Sequence, residues 1–185
     1  MRNFKTEGII IKRFNTSEAD RVLTVFTRNL GKCKIRAKGV RRVPSRRSAH
    51  VELLNHSTLT LYQNKSRAAY LVEANTLNSF QEIKDDLTKV GFSYHLCELI
   101  DGLCPENQEL ASIYDLFLGT INKLCNCKTE EVSELVHEFE VSLLVALGFW
   151  RRDERVLTSL DTTQILESVL ERRLRSRRIF SKIDR

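Results

Sequence analysis

The chain has 185 residues, 42% of them hydrophobic, and a net charge of +6. That is enough apolar material to bury a core, and it excludes an intrinsically disordered chain. The charge is unevenly spread: residues 1–80 carry +11, residues 81–150 carry −9 and residues 151–185 carry +4, a pattern that points to modules with separate tasks.

Residues 7–14 are rich in β-branched side chains and read as a first strand, and residues 21–27 as a second. Arg28 to Gly31 is a turn signal. Then Lys32, Lys34, Arg36 and Lys38 alternate with Cys33, Ile35 and Ala37. Period two is the strand signature, so the odd residues are expected in a core and the four cations in one outward row. The basic character continues into a loop with Arg41, Arg42, Arg46 and Arg47. Residues 31–47 hold eight Lys or Arg and no acid. A face built only for solubility mixes signs, because like charges in a row repel each other. A pure positive sign over this length calls for a polyanion, and these eight residues are the expected nucleic-acid contacts. Residues 50–62 and 68–77 complete five strands, with residues 63–67 as a hairpin connection. Five strands without a helix-length insertion predict a small antiparallel barrel of the OB type over residues 1–80. Tyr62 and Tyr70 read as core residues in preference to base-stacking platforms.

Beyond residue 80 the period becomes helical. Helices are expected over residues 86–104, closed by Gly102 and Pro105, over residues 109–125 with Asn107 as N-cap, and over residues 129–149 with Thr129 as cap. A last helix is expected over residues 161–178, opened by a capping box from Asp161 to Gln164. The whole is an α+β chain: an OB barrel, then an α-helical domain over residues 81–185. The longest apolar stretch, residues 141–150, is too short to span a bilayer, so no membrane role is expected. Five cysteines without a secretory signal suggest a reducing cytoplasm.

Catalytic patterns are missing. His50, His56, His95 and His137 are scattered, and no HExxH, GxSxG, P-loop or GxGxxG occurs. Glu130, Glu131, Glu134, Glu138 and Glu140 follow helical spacing and read as a solvated face. Asp20 and Glu18 lie near the basic strand in sequence, but two acids in a turn make a poor metal-dependent nuclease site. The expected class is a binding protein and not an enzyme, without metal or other cofactor.

Several segments resemble a known family. Thr6-Glu7-Gly8, Glu18-Ala19-Asp20-Arg21, Phe26-Thr27, Gly31-Lys32, Ala37-Lys38-Gly39 and Arg41-Arg42 are similar to the N-terminal pattern of the bacterial RecO recombination mediators. That pattern runs TEGIVL, then GExDRIL, then FTxxxGKxxxxAKGxRRxxS. "LVALGF" and "LRSRR" resemble landmarks of the family's helical domain. The resemblance implies an OB domain followed by helices, and binding of single- and double-stranded DNA with annealing of complementary strands. It also implies work with RecR and the single-strand-binding protein SSB to load RecA, in the cytoplasm and associated with the nucleoid. Many relatives insert a four-cysteine zinc module after "LGF"; this chain has "WRRDERVLTSLDTTQ" there and looks like a compact form without it. The acidic, apolar-ended SSB tail is expected on the basic last helix, at Arg172, Arg173 and Arg175 beside Leu174, with Arg177 and Arg178 near. The rival readings are an RNA-binding OB module and a partner adaptor without annealing activity.

Overall fold

The computed structural model describes residues 2–43, 45–63, 68–151 and 157–176. They form two compact units, one of Met1–Phe80 with Cys104–Ala111, the other of Gln81–Leu103 with Ser112–Arg185.

The first unit is built around β1 (Arg2–Asn15), which serves two neighbours. From Arg2 to Ile9 it pairs with β4 (His56–Gln63), and from Gly8 to Asn15 with β2 (Arg21–Thr27), both antiparallel. A bulge between Ile10 and Lys12 bends the strand, as an extra residue in one strand of a pair does. β3 (Gly31–Ala37) pairs antiparallel with β2 and, through Ile35 and Arg36, parallel with β5 (Ala69–Asn78). β5 pairs antiparallel with β4, which closes the ring in the order β1-β2-β3-β5-β4. This is the five-stranded OB arrangement expected from the sequence. Its interior is filled by alternate residues of every strand, among them Ile10, Leu23, Val25, Ile35, Leu59, Leu61 and Leu71.

The fourth strand starts later than its hydrophobicity suggests. Ala49–Val51 is a single 3-10 turn, Leu54 adopts a left-handed conformation with φ 68°, and the strand begins only at His56. The cause is local pairing with the β1 bulge. Leu54 N donates to the Ile10 carbonyl at 2.8 Å, Ile10 N donates to the Asn55 carbonyl at 3.1 Å, and the Asn55 amide donates to the Ala49 carbonyl. The apolar residues of this stretch, Val51 and Leu54, are buried as a plug and not as a strand face.

The second unit is helical: α1 (Gln81–Lys84), α2 (Leu87–Leu103), α3 (Ala111–Asn126), α4 (Val132–Ala146) and α5 (Ser159–Leu170). Phe117 and Phe139 meet in its core with centroids 6.2 Å apart. Helix starts differ from expectation in their capping chemistry. Asn107 does not cap α3; it takes φ 57° in the preceding segment. At α4 the chain enters through a 3-10 turn, Thr129–Glu131, where the Glu131 carboxylate accepts from Lys128 N at 2.9 Å. The box at α5 lies three residues earlier than expected: Thr158 is the N-cap, and Asp161 is its reciprocal partner. α5 also ends at Leu170, because Glu171 turns left-handed at φ 53°. The expected continuation through Arg175 is therefore not helical, and Arg177 and Arg178 lie outside the described residues.

Glu140 is the clearest departure from the helical pattern. It is 6% exposed, not on a solvated face. Its Oε1 meets His95 Nε2 at 2.7 Å, and its Oε2 accepts from the Thr162 hydroxyl at 3.3 Å. The other ring nitrogen of His95 meets Ser176 Oγ at 2.7 Å. This buried chain of hydrogen bonds joins α2, α4, α5 and the segment after α5, and satisfies polar groups that would be costly to bury alone.

Candidate nucleic-acid interface

The basic strand divides into two halves. Arg36 is exposed, as the alternation demands, but Lys32 is only 5% exposed. The expected single outward row is thus broken at its first member. The physical reason lies some seventy residues along the chain. Cys104–Ala111 runs beside the start of β3, where Lys32 and Glu106 form a parallel bridge and Asn107 N donates to the Lys32 carbonyl at 2.8 Å. Lys34 is exposed but paired, its Nζ 2.6 Å from Glu106 Oε1. The first two cations of the row therefore belong to a seam within the protein.

The second half opens onto solvent. Lys38, Gly39, Arg42, Ser45, Arg46 and Arg47, with Asp20, line an open concavity of about 660 Å³. A smaller one of about 220 Å³, lined by Thr16, Asp20, Arg21, Val22, Arg36 and Lys38, shares Asp20 and Lys38 with it. Lys38, Arg41, Arg42 and Arg46 are exposed. Among the described residues Arg36, Arg42 and Arg46 have no ion pair, and Asp20 is the one acid in the lining of the two concavities, so the net field there is positive.

The loop that carries these cations is tied down by its neighbours. Asp20 Oδ1 accepts from Gly39 N at 2.8 Å, Arg41 N donates to the Ala19 carbonyl, and Arg41 Nη1 donates to the Ser17 carbonyl at 2.7 Å. Arg47 is half-buried, and its guanidinium donates to the Lys38 and Leu71 carbonyls at 2.9 and 3.0 Å. Arg47 is thus a clamp from loop to β5 as well as a lining residue. Asp20 supports the basic loop and is occupied by an amide. Arg21 donates to Asn15 Oδ1 at 3.1 Å and reaches Glu52, which Arg13 also pairs. The Glu-Ala-Asp-Arg stretch therefore reads, in three dimensions, as the scaffold of the hairpin under the loop.

Tyr62 and Tyr70 are half-buried and lie outside the barrel's core cluster, in contrast to the core role expected for them. Their rings are 6.4 Å apart at 45°, and Lys38 Nζ sits 5.2 Å above the Tyr70 ring, a cation–π distance.

At the second expected site, Leu174 is 3% exposed, so it belongs to the interior and does not line an open groove. Arg172 Nη1 donates to Glu98 Oε1 at 2.5 Å, and the amides of Arg175 and Ser176 donate to the same carboxylate at 3.0 and 2.9 Å. The side chains of Arg173 and Arg175 remain exposed. Burial pushes the Glu98 carboxyl up, but Arg172 and the two amides outweigh it and hold the group at about 2, against an ordinary 4.5. A depressed carboxylate stabilises the fold above its unfolded value, and that contribution is lost as pH falls from about 4.5 through about 2. Glu98→Gln should therefore lower the urea midpoint at neutral pH, and the gap to the parent should close toward pH 2. A gap constant over the acid range would show that the charge of Glu98 is not its source.

Burial raises the thiols of the inner cysteines. Cys33 is pushed up to about 12 by burial, with Glu106 adding to it, and Cys104 to about 11 by burial against the pull of Lys32. Cys97 moves up for the same reason, burial first and then Asp101. These groups are protonated at neutral pH and pack as small apolar residues. Among the described residues no helix is long and apolar enough to cross a membrane.

Comparison with known proteins agrees with this geometry. The model described as "Recombination protein O N terminal" matches residues 1–80, and "Recombination protein O C terminal" matches residues 84–150. The barrel's basic loop lies in the first match, whereas Arg172 to Arg175 lie beyond the second. A DNA repair protein RecO of Acetivibrio thermocellus is 34% identical over 150 residues, covering 80% of this chain and 59% of that protein. Those of a Roseiflexus species and of Symbiobacterium thermophilum are 32% and 31% identical, again over 80% of this chain, and over 51% and 58% of theirs. The chain spans just over half the length of these curated relatives. With both family domains matched in order on an OB barrel and a helical unit, the chain belongs to the recombination protein O (RecO) family.

Proposed function

We propose that this protein binds DNA through the basic concavity of its barrel and anneals complementary single strands in recombinational repair. In the same reading it acts with RecR on SSB-coated DNA to help load RecA. The observation that carries the proposal is the cluster of Arg36 on β3 with Lys38, Arg42 and Arg46 of the following loop, around two concavities that share Asp20 and Lys38, the loop being held by Asp20, Arg41 and Arg47. Phosphate contacts by such groups hold a strand without reading its sequence, as repair of any broken strand requires. Annealing follows from the same contacts: neutralising backbone charge lets two strands approach while most bases stay free to pair. The acidic SSB tail is assigned to the exposed Arg173 and Arg175, since Arg172 is held by Glu98.

The test is annealing of complementary oligonucleotides, naked and SSB-coated, together with the salt dependence of binding. With four phosphates neutralised, log K against log[salt] on single strands should slope at roughly −3. Arg42→Ala with Arg46→Ala should weaken binding to all sequences alike and make the slope shallower by about 1.5. An unchanged slope in that variant would place the nucleic acid elsewhere, and stronger competition by RNA than by DNA would favour an RNA-binding module.

A further inference from the structure

The strand register brings aromatic and cationic side chains into one row across the outside of the barrel. Phe14 pairs with Val22, Val22 with Arg36, Arg36 with Tyr70 and Tyr70 with Tyr62. Residues paired in register share a face of the sheet. The alternate residues of the inner strands, Leu23, Ile35, Leu71 and Leu61, are buried in the core, so the row faces outward. Phe14 is 68% exposed, and both tyrosines are half-buried. A single exposed phenylalanine means little, because folded proteins expose many apolar atoms. Three aromatic rings interleaved with Arg36 and Lys38, on a line that borders a basic concavity, form a repeated pattern with a chemical complement. The complement is a polyanion that also carries flat apolar faces.

We infer that this row is a stacking platform for unpaired bases of single-stranded DNA. The inference rests on the DNA-binding reading above and adds to it the part of the strand that is held. Neighbouring strands are about 4.8 Å apart, so Phe14 and Tyr70, three steps apart, are separated by about 14 Å. One base cannot touch both, so the row holds at least two bases, with Arg36 between them for the backbone. Lys38 keeps the Tyr70 ring in place by its cation–π contact and presents its remaining N–H groups to phosphate. In a duplex the base faces are stacked on each other and out of reach. The guanidinium groups of the loop therefore serve single and double strands alike, whereas the aromatic row serves single strands only.

The experiment measures fluorescence anisotropy of a labelled oligo(dT), an abasic strand of the same length and a blunt-ended duplex, with thermal melting of each variant to verify folding. Phe14→Ala with Tyr70→Ala should weaken oligo(dT) binding by roughly 30-fold or more, the effect of losing two stacks, and leave duplex and abasic strand unchanged. Tyr70→Phe should keep the affinity of the parent, because a ring without the hydroxyl still stacks. Arg42→Ala with Arg46→Ala should lower all three affinities. If the arginine variant weakens all three ligands while the aromatic variant binds oligo(dT) like the parent, the platform is refuted and the DNA-binding reading stands. Equal losses on duplex and single strand in the aromatic variant also refute it. If the parent binds none of the three, the DNA-binding reading itself fails.

Discussion

Replacing Gly31 by alanine should destabilise the barrel by about 3 kcal/mol or more, read as a lower urea midpoint with an unchanged slope. Two effects add. Gly31 sits at φ 65°, where an alanine is strained by roughly 1 kcal/mol. A Cβ there would also lie 1.7 Å from the Gln108 carbonyl oxygen, a distance no packing adjustment can absorb. The Glu106–Gln108 segment would have to leave the strand, with loss of the Asn107–Lys32 hydrogen bond and the Glu106–Lys34 ion pair. Gly39 supplies an internal control. It has the same φ of 65°, but its added Cβ would meet nothing nearer than Arg42 Cδ at 3.8 Å. Gly39→Ala should therefore cost only the backbone strain, about 1 kcal/mol. Gly31→Asn should be no better than Gly31→Ala, because asparagine tolerates positive φ but still carries the clashing Cβ. Equal, small losses at both glycines would show that the segment at residues 106–108 does not rest on β3.

The second large effect is expected at Glu140. Glu140→Ala removes the acceptor of His95 Nε2 and of the Thr162 hydroxyl inside a nearly water-free cluster. Leaving one partner of a buried polar pair uncompensated costs about 3 kcal/mol or more. Glu140→Gln keeps a carbonyl oxygen that can accept from the ring N–H, so its cost should be nearer 1 kcal/mol. A residue on a solvated face would change stability by less than about 0.5 kcal/mol either way. Denaturant titrations of the two variants therefore separate the buried relay from the solvated face: equal and negligible losses would sink the relay.

What could be read from the chain was what depends on neighbours in sequence. The alternation from Lys32 to Ala37 marks β3, and the turn signals around Arg28 to Gly31 mark its entry, because pleat and turn are local properties. The helical stripes likewise show where α3 and α4 lie. Burial of Lys32 was not legible, since the segment that covers it comes some seventy residues later. Nor was the role of Glu140: its spacing matches the exposed glutamates of the same helix, and only the arrival of His95 and Thr162 distinguishes it. The run from Glu171 to Arg175 has good helix formers, but Glu98 captures the amides of Arg175 and Ser176 and overrides that preference. The eight cations were legible as a run of one sign in the sequence. Their division into seam, clamp and open surface was not, because it depends on Glu106 and on carbonyls of β5.

The ties on the basic loop bear on how a strand is met. Gly39, Arg41 and Arg47 tie the loop to the β1–β2 hairpin and to β5 through hydrogen bonds made within the protein. A loop ordered on contact would take up its conformational freedom at the moment of association, with a slow closing step and a large negative heat-capacity change. Here the ties at Gly39, Arg41 and Arg47 take up part of that freedom on folding. For the DNA-binding reading proposed above, encounter then becomes a matter of diffusion down a positive potential, without a slow closing step.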